Sequence, residues 1–279
     1  MDSQQTLYAP IADQLIARGC ARGGFVLGLC GPQGSGKSTG AAVLAGLLAD
    51  RGVRAAILAL DDLYRPKAER QALAAQVHPL LATRGPPGTH DVALGLRLLD
   101  ALAHTGPIAM PRFDKAADDR APPETWPVFE GPADVILFEG WCVGARPQAP
   151  EDLMRPVNAL EVERDPDGVW RTYVNAALAG PYQALFGRLD ALMLLVPPSF
   201  DRVLAWRIQQ EQALRAMLGD PGAGQSDVEL AVFVQHYERL TRHIVAEAPV
   251  RADILVRLDA ERNAKMESLE LPFRQAQPG

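Results

Sequence analysis

Residues Gly31-Pro-Gln-Gly-Ser-Gly36-Lys37-Ser38 carry the strongest structural signal in this sequence. They fit the pattern of one glycine, four residues of any kind, and then glycine, lysine and serine or threonine. Such glycines let backbone N–H groups turn inward around a phosphate, and the positive end of a following helix points to the same place. Lys37 can reach the terminal phosphates of a nucleoside triphosphate, and the Ser38 hydroxyl can bind Mg²⁺. The pattern, of the Walker A type, predicts these nucleotide-binding residues: Gly31, Gln33, Gly34, Ser35, Gly36, Lys37, Ser38 and Thr39.

The segments on either side of this loop give it the setting that a phosphate-binding loop needs. The apolar run Gly24–Cys30 before it has the length of a buried strand, and the segment Ser38–Ala49 after it suits a buried helix. A second apolar run, Val53–Leu60, ends on Asp61. Strand, helix and strand within about 40 residues form a βαβ unit, which implies a parallel sheet covered by helices. This setting favours a phosphate-binding loop over a plain glycine turn.

Alternating strand and helix patterns continue through the rest of the chain. They predict an α/β fold with a doubly wound, mainly parallel sheet of the P-loop NTPase kind, helices on both faces and a helical C-terminal part. We expect a single domain over residues 1–265, followed by a partly disordered tail at 266–279. Further strands are expected at Pro107–Met110, Asp134–Phe138, Asp190–Val196 and Ala252–Leu258, and further helices at Asp91–Ala103, Val174–Phe186, Phe200–Leu218 and Asp227–Ala246.

The composition narrows the classes of partner. The chain has 28 basic and 34 acidic residues and a net charge of −6, whereas a nucleic-acid-binding protein usually carries a basic patch. No stretch approaches the roughly 20 uninterrupted apolar residues that span a bilayer, and the polar N-terminus does not resemble a signal peptide. Cys20, Cys30 and Cys142 are too scattered for a disulfide framework or a zinc site. We expect a cytoplasmic protein that binds neither nucleic acid nor membrane, with its oligomeric state left open.

Acidic residues stand where two of the predicted strands end. Asp61 and Asp62 follow the second strand, and Glu139 follows the apolar run Val135–Phe138. In parallel α/β sheets the carboxyl ends of the strands gather at one edge, beside the phosphate loop. Phosphoryl transfer to an alcohol needs a metal ion and a carboxylate that takes the hydroxyl proton. We favour Asp61 as the base and Glu139, beside Ser38, as the metal site; exchanged roles, or a share for Asp62, stay open.

Several motifs also resemble a known group of enzymes. The phosphate loop, Leu60-Asp-Asp-Leu-Tyr64 and Leu137-Phe-Glu-Gly-Trp141 are similar to motifs of the phosphoribulokinase, uridine kinase and pantothenate kinase superfamily. Within it, an ordered string of further motifs resembles the D-glycerate 3-kinase family of plants and fungi, from about Gly28 to Asn263. These motifs are Arg84–Asp91, Pro111–Lys115, Asp119-Arg120, Thr125–Pro127, Glu130–Pro132, Trp206–Glu211, Arg215, Ser226-Asp227 and Arg262-Asn263.

The resemblance implies an ATP- and Mg²⁺-dependent kinase that acts on a hydroxyl group of a small metabolite. D-glycerate is the favoured acceptor, with a nucleoside or a pantothenate-like acid behind it. The cations after Met110 suit a carboxylate-bearing acceptor, because arginine can hold a carboxylate through two parallel hydrogen bonds. The alternatives are an exposed charged loop here and a helix cap at Thr89 or Asp91. The implied acceptor contacts are Asp61, Tyr64, His90, Asp91, Arg112, Asp114, Lys115 and Arg120.

Two arginines in the C-terminal helical part resemble residues that close over ATP in this superfamily. Arg207 and Arg215 belong to a region at about 199–248 that we expect to act as a lid. Such cations stabilise the charge on a transferring phosphoryl group. Their spacing with Glu211, four residues apart, equally suits a salt-bridge ladder on one helix face, but the resemblance favours the lid. The predicted catalytic residues are Lys37, Asp61, Glu139, Arg207 and Arg215.

A nucleotide-hydrolysing switch or binding module is the competing class of function. A GTPase normally carries an Asn-Lys-x-Asp motif that reads guanine, and transporter ATPases carry a Leu-Ser-Gly-Gly signature; this sequence has neither. A degenerate kinase kept for regulation is a third possibility. The presence of Lys37, Ser38, Asp61 and Glu139 argues against it.

Overall fold

A mainly parallel sheet forms the centre of the computed structural model, which describes residues 3–21, 23–219 and 224–272. The strands are β1 (Phe25–Cys30), β2 (Ala55–Ala59), β3 (Gly106–Ala109), β4 (Phe113–Asp114), β5 (Asp119–Arg120), β6 (Val128–Gly131), β7 (Val135–Gly140), β8 (Ala191–Val196), β9 (Ile254–Leu258) and β10 (Ala264–Leu269). The central sheet has the order β10-β9-β8-β1-β7-β2, and its neighbours are parallel except for β10, which runs antiparallel to β9. β3 pairs with β6, and β4 with β5, in two small separate ribbons.

Helices cover both faces of the central sheet. They are α1 (Ser3–Ala17), α2 (Lys37–Ala49), α3 (Lys67–Gln76), α4 (Val92–Leu102), α5 (Ala159–Arg164), α6 (Val169–Ala177), α7 (Gln183–Phe186), α8 (Phe200–Leu218) and α9 (Asp227–Glu247). This arrangement confirms the predicted fold class of a mainly parallel sheet with helices on both sides and a helical C-terminal part. Within the described residues, no helix combines the length and apolar character of a membrane span.

Alternation along the strands sorts the apolar side chains into two cores, one on each face of the sheet. In β1, Val26 and Cys30 join the core that contains residues of α4 and α9, whereas Phe25, Leu27 and Leu29 join the core under α1 and α2. Successive side chains of a strand point to opposite faces, so a strand covered on both sides is apolar throughout. The strands β1, β7 and β8 are fully buried, which fixes the position of their carboxyl ends.

The helix expected over Val174–Phe186 is broken in the structure. α6 begins five residues earlier, and an irregular π-helical turn at Leu178–Tyr182 separates it from α7. Pro181 has no N–H to donate to a helical hydrogen bond, and Gly180 has a non-helical conformation. The prediction of one regular helix in this segment was therefore wrong.

Two further elements lie where the apolar pattern does not predict them. α3 buries a charged side chain, Arg70, instead of an apolar stripe. β10 covers Ala264–Leu269 and pairs with β9, although the segment lies largely in the expected tail. Its alternating side chains are only partly buried, as on the edge of a sheet. Residues 273–279 of that tail lie outside the described residues.

The N-terminal helix α1 packs on α2 through a close contact between Tyr8 and Gly40. Tyr8, Ile11 and Leu15 are fully buried in this core. A Cβ atom on Gly40 would lie 1.9 Å from the Tyr8 hydroxyl oxygen and 2.3 Å from the ring carbon Cζ. At Gly46 of the same helix, a Cβ atom would meet nothing within 4 Å. The contact therefore requires glycine at position 40 but not at position 46.

Replacing Gly40 by alanine should lower the free energy of unfolding by about 1–3 kcal/mol, because overpacking a tight contact forces the two helices apart. The matched variant Gly46→Ala should raise it by about 0.5–1 kcal/mol, since alanine is the better helix former and meets no neighbour. Equilibrium unfolding in urea measures both values. Effects of the same sign and size at the two positions would contradict the close contact between α1 and α2.

Candidate active site

The phosphate loop lies at the carboxyl edge of the sheet, where the strand order reverses. From β1 the chain crosses to β2 and β7 on one side and later to β8 on the other, which leaves a crevice at the end of β1. Gly34 and Gly36 have left-handed backbone conformations, with φ angles of 76° and 85°. Gly36 directly precedes the first residue of α2. The loop thus turns straight into a helix N-terminus, an arrangement that can bind a phosphate through backbone N–H groups.

A hydrogen bond joins the first turn of α2 to the end of β7. The Ser38 hydroxyl donates to Glu139 Oε1 over 2.7 Å, and Glu139 is only 6% exposed. The sheet register sets this contact, because Glu139 pairs with Leu29 of β1 on one side and with Ala59 of β2 on the other. Among the described residues, no group of three or more His, Cys, Asp or Glu side chains could hold a metal ion. Ser38 and Glu139 still fit Mg²⁺, which usually keeps several waters and binds through one or two carboxylates and substrate phosphates.

Asp61 is positioned by a short 3₁₀ turn, Leu60–Leu63, that directly follows β2. Its Oδ2 accepts a hydrogen bond from Lys115 Nζ at 2.8 Å, and its Oδ1 accepts one from the Tyr64 hydroxyl at 3.0 Å. Burial favours the protonated acid, but the positive charges of Lys115 and Lys37 outweigh it and hold the pKa of Asp61 well below its usual range. Asp61 is therefore an ionised carboxylate with both oxygens engaged.

The neighbouring carboxylate, Asp62, has a different set of partners. Its Oδ2 accepts a hydrogen bond from Arg112, and its Oδ1 accepts one from the Phe113 N–H, both over 3.0 Å. Burial raises the pKa of Asp62 above its ordinary value. Asp61 lines the large cleft of the molecule and Asp62 does not. Position thus favours Asp61 as the carboxylate that meets a ligand.

One cleft of about 1120 Å³ contains both the phosphate loop and Asp61. Ligand pockets typically measure about 300–1,000 Å³, so this cleft has room for a nucleotide and a second small molecule. Its cationic lining residues are Lys37, Arg84, Lys115 and Arg207, and its aromatic ones are Tyr64, Phe113, Trp141, Phe233 and Tyr237. The other residues in its lining are Gln33, Gly34, Ser38, Asp61, Asp114, Ala116, Gln210, Glu211, Gly224 and Gln225.

His90 lies behind the wall of this cleft. Its ring is 1% exposed and stacks on the ring of Tyr64, with the centroids 4.5 Å apart. The Tyr182 hydroxyl accepts hydrogen bonds from the N–H groups of Gly88 and His90, so its own proton is donated to His90 Nδ1, 2.6 Å away. Burial lowers the pKa of His90 to about 3. The ring is therefore neutral and supports Tyr64 from behind.

Asp91 and Arg120 also lie outside the cleft lining. Asp91 Oδ1 accepts a hydrogen bond from the Leu94 N–H at 2.9 Å, which caps α4 as the alternative interpretation predicted. Arg120 lies 3.5 Å from the other carboxylate oxygen of Asp91 and donates to the Tyr64 carbonyl at 2.8 Å. The structure brings His90 and Arg120 to Tyr64 and Asp91 to Arg120, and these residues do not line the cleft.

The remaining residues expected at the acceptor are divided between the cleft and its outside. Lys115 and Asp114 line the cleft, whereas Arg112 is bonded to Asp62 outside it. Asp114 Oδ1 accepts hydrogen bonds from the N–H groups of Ala116 and Ala117, at 2.8 and 3.1 Å, and so fixes the turn between β4 and β5. Lys115 is thus the cation that this ribbon brings into the cleft.

α8 brings one of the two expected lid arginines to the cleft. Arg207 lines it and forms an ion pair of 2.7 Å with Glu211. Arg215 is not itself in the cleft lining; it bonds the carbonyl of Gln225, which is, and lies 3.6 Å from Asp227. The structure therefore contains the Arg207–Glu211 part of the predicted ladder and also keeps Arg207 in the cleft.

Sequence patterns leave part of this lining unpredicted. Arg84 is part of the motif Arg84–Asp91, but from that motif only His90 and Asp91 were predicted to contact the acceptor. Phe233 and Tyr237 look like the ordinary apolar stripe of a helix, since they are four residues apart on α9. In the structure the Tyr237 hydroxyl donates to the Arg84 carbonyl at 3.0 Å, and its ring packs edge-on against Trp141 with centroids 4.8 Å apart. These contacts join segments far apart in the chain.

Buried neutral histidines make the folded state sensitive to acid. Burial lowers the pKa of His90 to about 3 and that of His236 to about 4, from an ordinary value of 6.5. Below pH 6.5 the unfolded chain binds protons that the folded chain does not. The free energy of unfolding therefore decreases as the pH is lowered. We expect His90→Gln to reduce this slope by about 1 kcal/mol per pH unit between pH 6 and pH 4.

Urea unfolding at several pH values measures that slope. His104→Gln, at an exposed position, reports the effect of replacing a histidine as such. A slope for His90→Gln equal to that of the parent would show that His90 takes up its proton in the folded state as well.

The sequence of this chain is similar to the sequences of known kinases. No protein-family profile matches the chain. The chloroplastic D-glycerate 3-kinase of Arabidopsis thaliana is 34% identical over 259 residues, which cover 86% of this chain and 53% of the relative. The chain thus spans about half the length of that relative. An uncharacterized kinase of Schizosaccharomyces pombe, mug58, is 35% identical over 222 residues, which cover 76% of this chain and 78% of that protein.

A solved structure shares the fold. D-glycerate 3-kinase of Cryptococcus neoformans matches 95% of this chain and 98% of its own, with a TM-score of 0.72 and 24% sequence identity. At that identity the likeness supports the fold alone. The match to the fission-yeast kinase covers more than two thirds of both chains and carries the family assignment. This chain belongs to the same kinase family as mug58, and its sequence is similar to that of the plant D-glycerate 3-kinase.

Proposed function

We propose that this protein is an ATP-dependent kinase that transfers the γ-phosphoryl group to a hydroxyl group of a small hydroxy acid, with D-glycerate as the favoured acceptor. The observation that carries the proposal is that Asp61 and Lys115 share one cleft with Lys37 and Ser38. A carboxylate suited to accept a proton and an ammonium group suited to bind a carboxylate thus stand beside the phosphate loop. The plant relative compared above is named D-glycerate 3-kinase, which supports this choice of acceptor.

The nucleotide side of the reaction belongs to the phosphate loop. Residues 31–39 bind the ATP phosphates through backbone N–H groups, and the Lys37 ammonium neutralises charge on the β- and γ-phosphates. Ser38 and Glu139 would hold Mg²⁺, which would supply positive charge to the phosphate groups during the transfer. Arg207 adds a further positive charge near the transferring group. Arg215 acts through Gln225, which lines the cleft.

The acceptor side of the reaction belongs to Asp61. An Asp61 oxygen takes the proton of the acceptor hydroxyl while the hydroxyl oxygen forms a bond to the γ-phosphorus. The bond from that phosphorus to the bridging oxygen breaks, and its electron pair leaves with ADP. The products are a phosphate ester, ADP and one proton, which Asp61 returns to water. The Tyr64 hydroxyl, bonded to Asp61 Oδ1 and backed by His90, fixes the direction of the carboxylate.

We also propose that the protein works in the cytoplasm on a small molecule and not on nucleic acid. Cys30 and Cys142 are buried free thiols, which suits a reducing compartment. The net charge of −6 disfavours binding to a polyanion.

D-glycerate should stimulate ADP release by the purified protein in the presence of Mg-ATP, and a phosphate ester of glycerate should accumulate. Uridine, pantothenate and a reaction without acceptor are run in parallel. Stimulation by uridine or pantothenate alone would assign the acceptor to those classes. Equal ADP release with and without any acceptor would favour the nucleotide-hydrolysing switch.

Lys37→Ala and Asp61→Asn should each lower kcat/KM by about 10²–10⁴-fold, since each removes a charge that acts on the reacting groups. Thermal unfolding checks that the variants stay folded. Asp62→Asn compares the two adjacent carboxylates, and its loss should be much smaller because Asp62 bonds Arg112 and Phe113 outside the cleft. A larger loss in Asp62→Asn than in Asp61→Asn would assign the base to Asp62.

A further inference from the structure

The contact between Lys115 and Asp61 gives the cleft a further property. Lys115 Nζ lies 2.8 Å from Asp61 Oδ2. The ammonium group therefore hydrogen-bonds to the carboxylate that we assign to proton transfer. We propose that Lys115 is a latch on Asp61, and that an acceptor opens the latch when its own carboxylate takes over the Lys115 ammonium. This inference rests on the proposed function and deepens it. The anionic end of the acceptor both anchors the acceptor and uncovers the base.

The ribbon that carries Lys115 is fixed at its base. The ring of Phe113 packs edge-on against Tyr64, with the centroids 5.1 Å apart. Arg70, only 1% exposed, donates to the Asp118 carbonyl at 2.6 Å and forms a 3.0 Å ion pair with the Asp118 carboxylate. These contacts hold β4 and the turn residue that precedes β5 against the body of the protein. The backbone of Lys115 therefore has a defined distance to the end of β2.

The side chain of Lys115, in contrast, is free to change partners. It is 64% exposed, and Asp61 is the hydrogen-bond partner that the described residues offer its ammonium. An ammonium group has three N–H donors, so two remain for a ligand. Exposed ion pairs add little to stability, because solvent screens them and long side chains lose freedom in forming them. Exchange of one carboxylate for another is thus a small step.

The other cations of the cleft are held more firmly. Arg207 pairs with Glu211, whose side chain is only 4% exposed. Arg84 pairs with Asp118, and its guanidinium group also lies over the Phe113 ring, 5.6 Å from the centroid. Among the cations that line the described part of the cleft outside the phosphate loop, Lys115 is the one most easily transferred to a ligand.

When the Lys115 ammonium changes its partner from Asp61 to the acceptor, the basicity of Asp61 changes as well as the binding of the acceptor. Burial alone would raise the pKa of Asp61, and the charges of Lys115 and Lys37 bring it down. When an acceptor carboxylate takes the Lys115 ammonium, Asp61 loses one of these charges and becomes the stronger base while the acceptor hydroxyl is at hand. Water and neutral polyols carry no charge that could draw Lys115 away. The latch therefore selects hydroxy acids and restrains phosphoryl transfer to water.

Lys115→Met tests the latch with two acceptors that differ in one group. Glycerol has the hydroxyl groups of D-glycerate but lacks the carboxylate. The ratio of kcat/KM for D-glycerate to that for glycerol should fall about 10- to 100-fold, the loss expected for a hydrogen bond between charged groups. ATP hydrolysis without any acceptor should rise about tenfold, because the general base is uncovered.

Matched variants separate the latch from general damage. Lys67→Met removes an exposed lysine from the start of α3, outside the cleft, and should change neither quantity. Lys115→Arg keeps the charge and should retain most of the discrimination. Adding Asp61→Asn to Lys115→Met should abolish the rise in hydrolysis, since that reaction passes through Asp61.

Two results would overturn the latch. An equal loss with both acceptors and unchanged hydrolysis would make Lys115 a structural residue. A lower ratio with unchanged hydrolysis would make it a simple anchor for the acceptor. Because hydrolysis needs no acceptor, a rise in Lys115→Met alongside a parent protein that does not phosphorylate D-glycerate would support the latch and reject the proposed acceptor.

Discussion

The parallel register that pairs β7 with both β1 and β2 is the constraint on which the site depends. It sets Glu139 level with Leu29, one residue before the end of β1, and with Ala59, the last residue of β2, where the Ser38 hydroxyl reaches it over 2.7 Å. A slip of one residue would turn Glu139 to the opposite face of the sheet and bring Phe138 in its place. The apolar side chains that bury these strands on both faces exclude such a slip. The same packing therefore stabilises the fold and brings together Ser38 and Glu139, the pair proposed to bind the metal ion.

The sheet edge could be predicted from sequence because its geometry follows from local patterns. An apolar run, a glycine-rich loop and a helix specify a βαβ unit, and parallel strands bring their carboxyl ends together whatever lies between them. The position of a side chain is harder to predict when it depends on how separate structural elements pack together. Asp61 and Lys115 are 54 residues apart, and their contact depends on how the β4–β5 ribbon packs on Tyr64. A cluster of cations predicts an anion site, but does not tell which cation faces the cleft.

The same limit explains why some residues that the motif resemblance assigned to the acceptor do not line the cleft. His90 and Asp91 stand in a motif, but a motif records that residues occur together and not whether they contact a ligand or its supports. In this structure the Tyr182 hydroxyl orients the His90 ring, and the ring in turn supports Tyr64. Tyr182 follows the proline that breaks the helix after α6, a feature that the apolar pattern does not reveal. A residue that acts on the cleft through a second residue can thus be recognised in the structure but not from the spacing of residues in the sequence.

The charge balance of the cleft links its stability to its selectivity. A cleft for ATP and an anionic acceptor needs several cations, and unpaired cations close together would repel one another. Here Lys115, Arg84 and Arg207 are each paired with a carboxylate of the protein. When a ligand displaces such a carboxylate, part of its binding free energy offsets the lost ion pair. A neutral molecule cannot make this exchange, and discrimination by charge follows from the pairs themselves. Because Lys115 lies on a ribbon outside the central sheet, substitutions there can alter the choice of acceptor while the register that assembles Lys37, Ser38 and Glu139 stays intact.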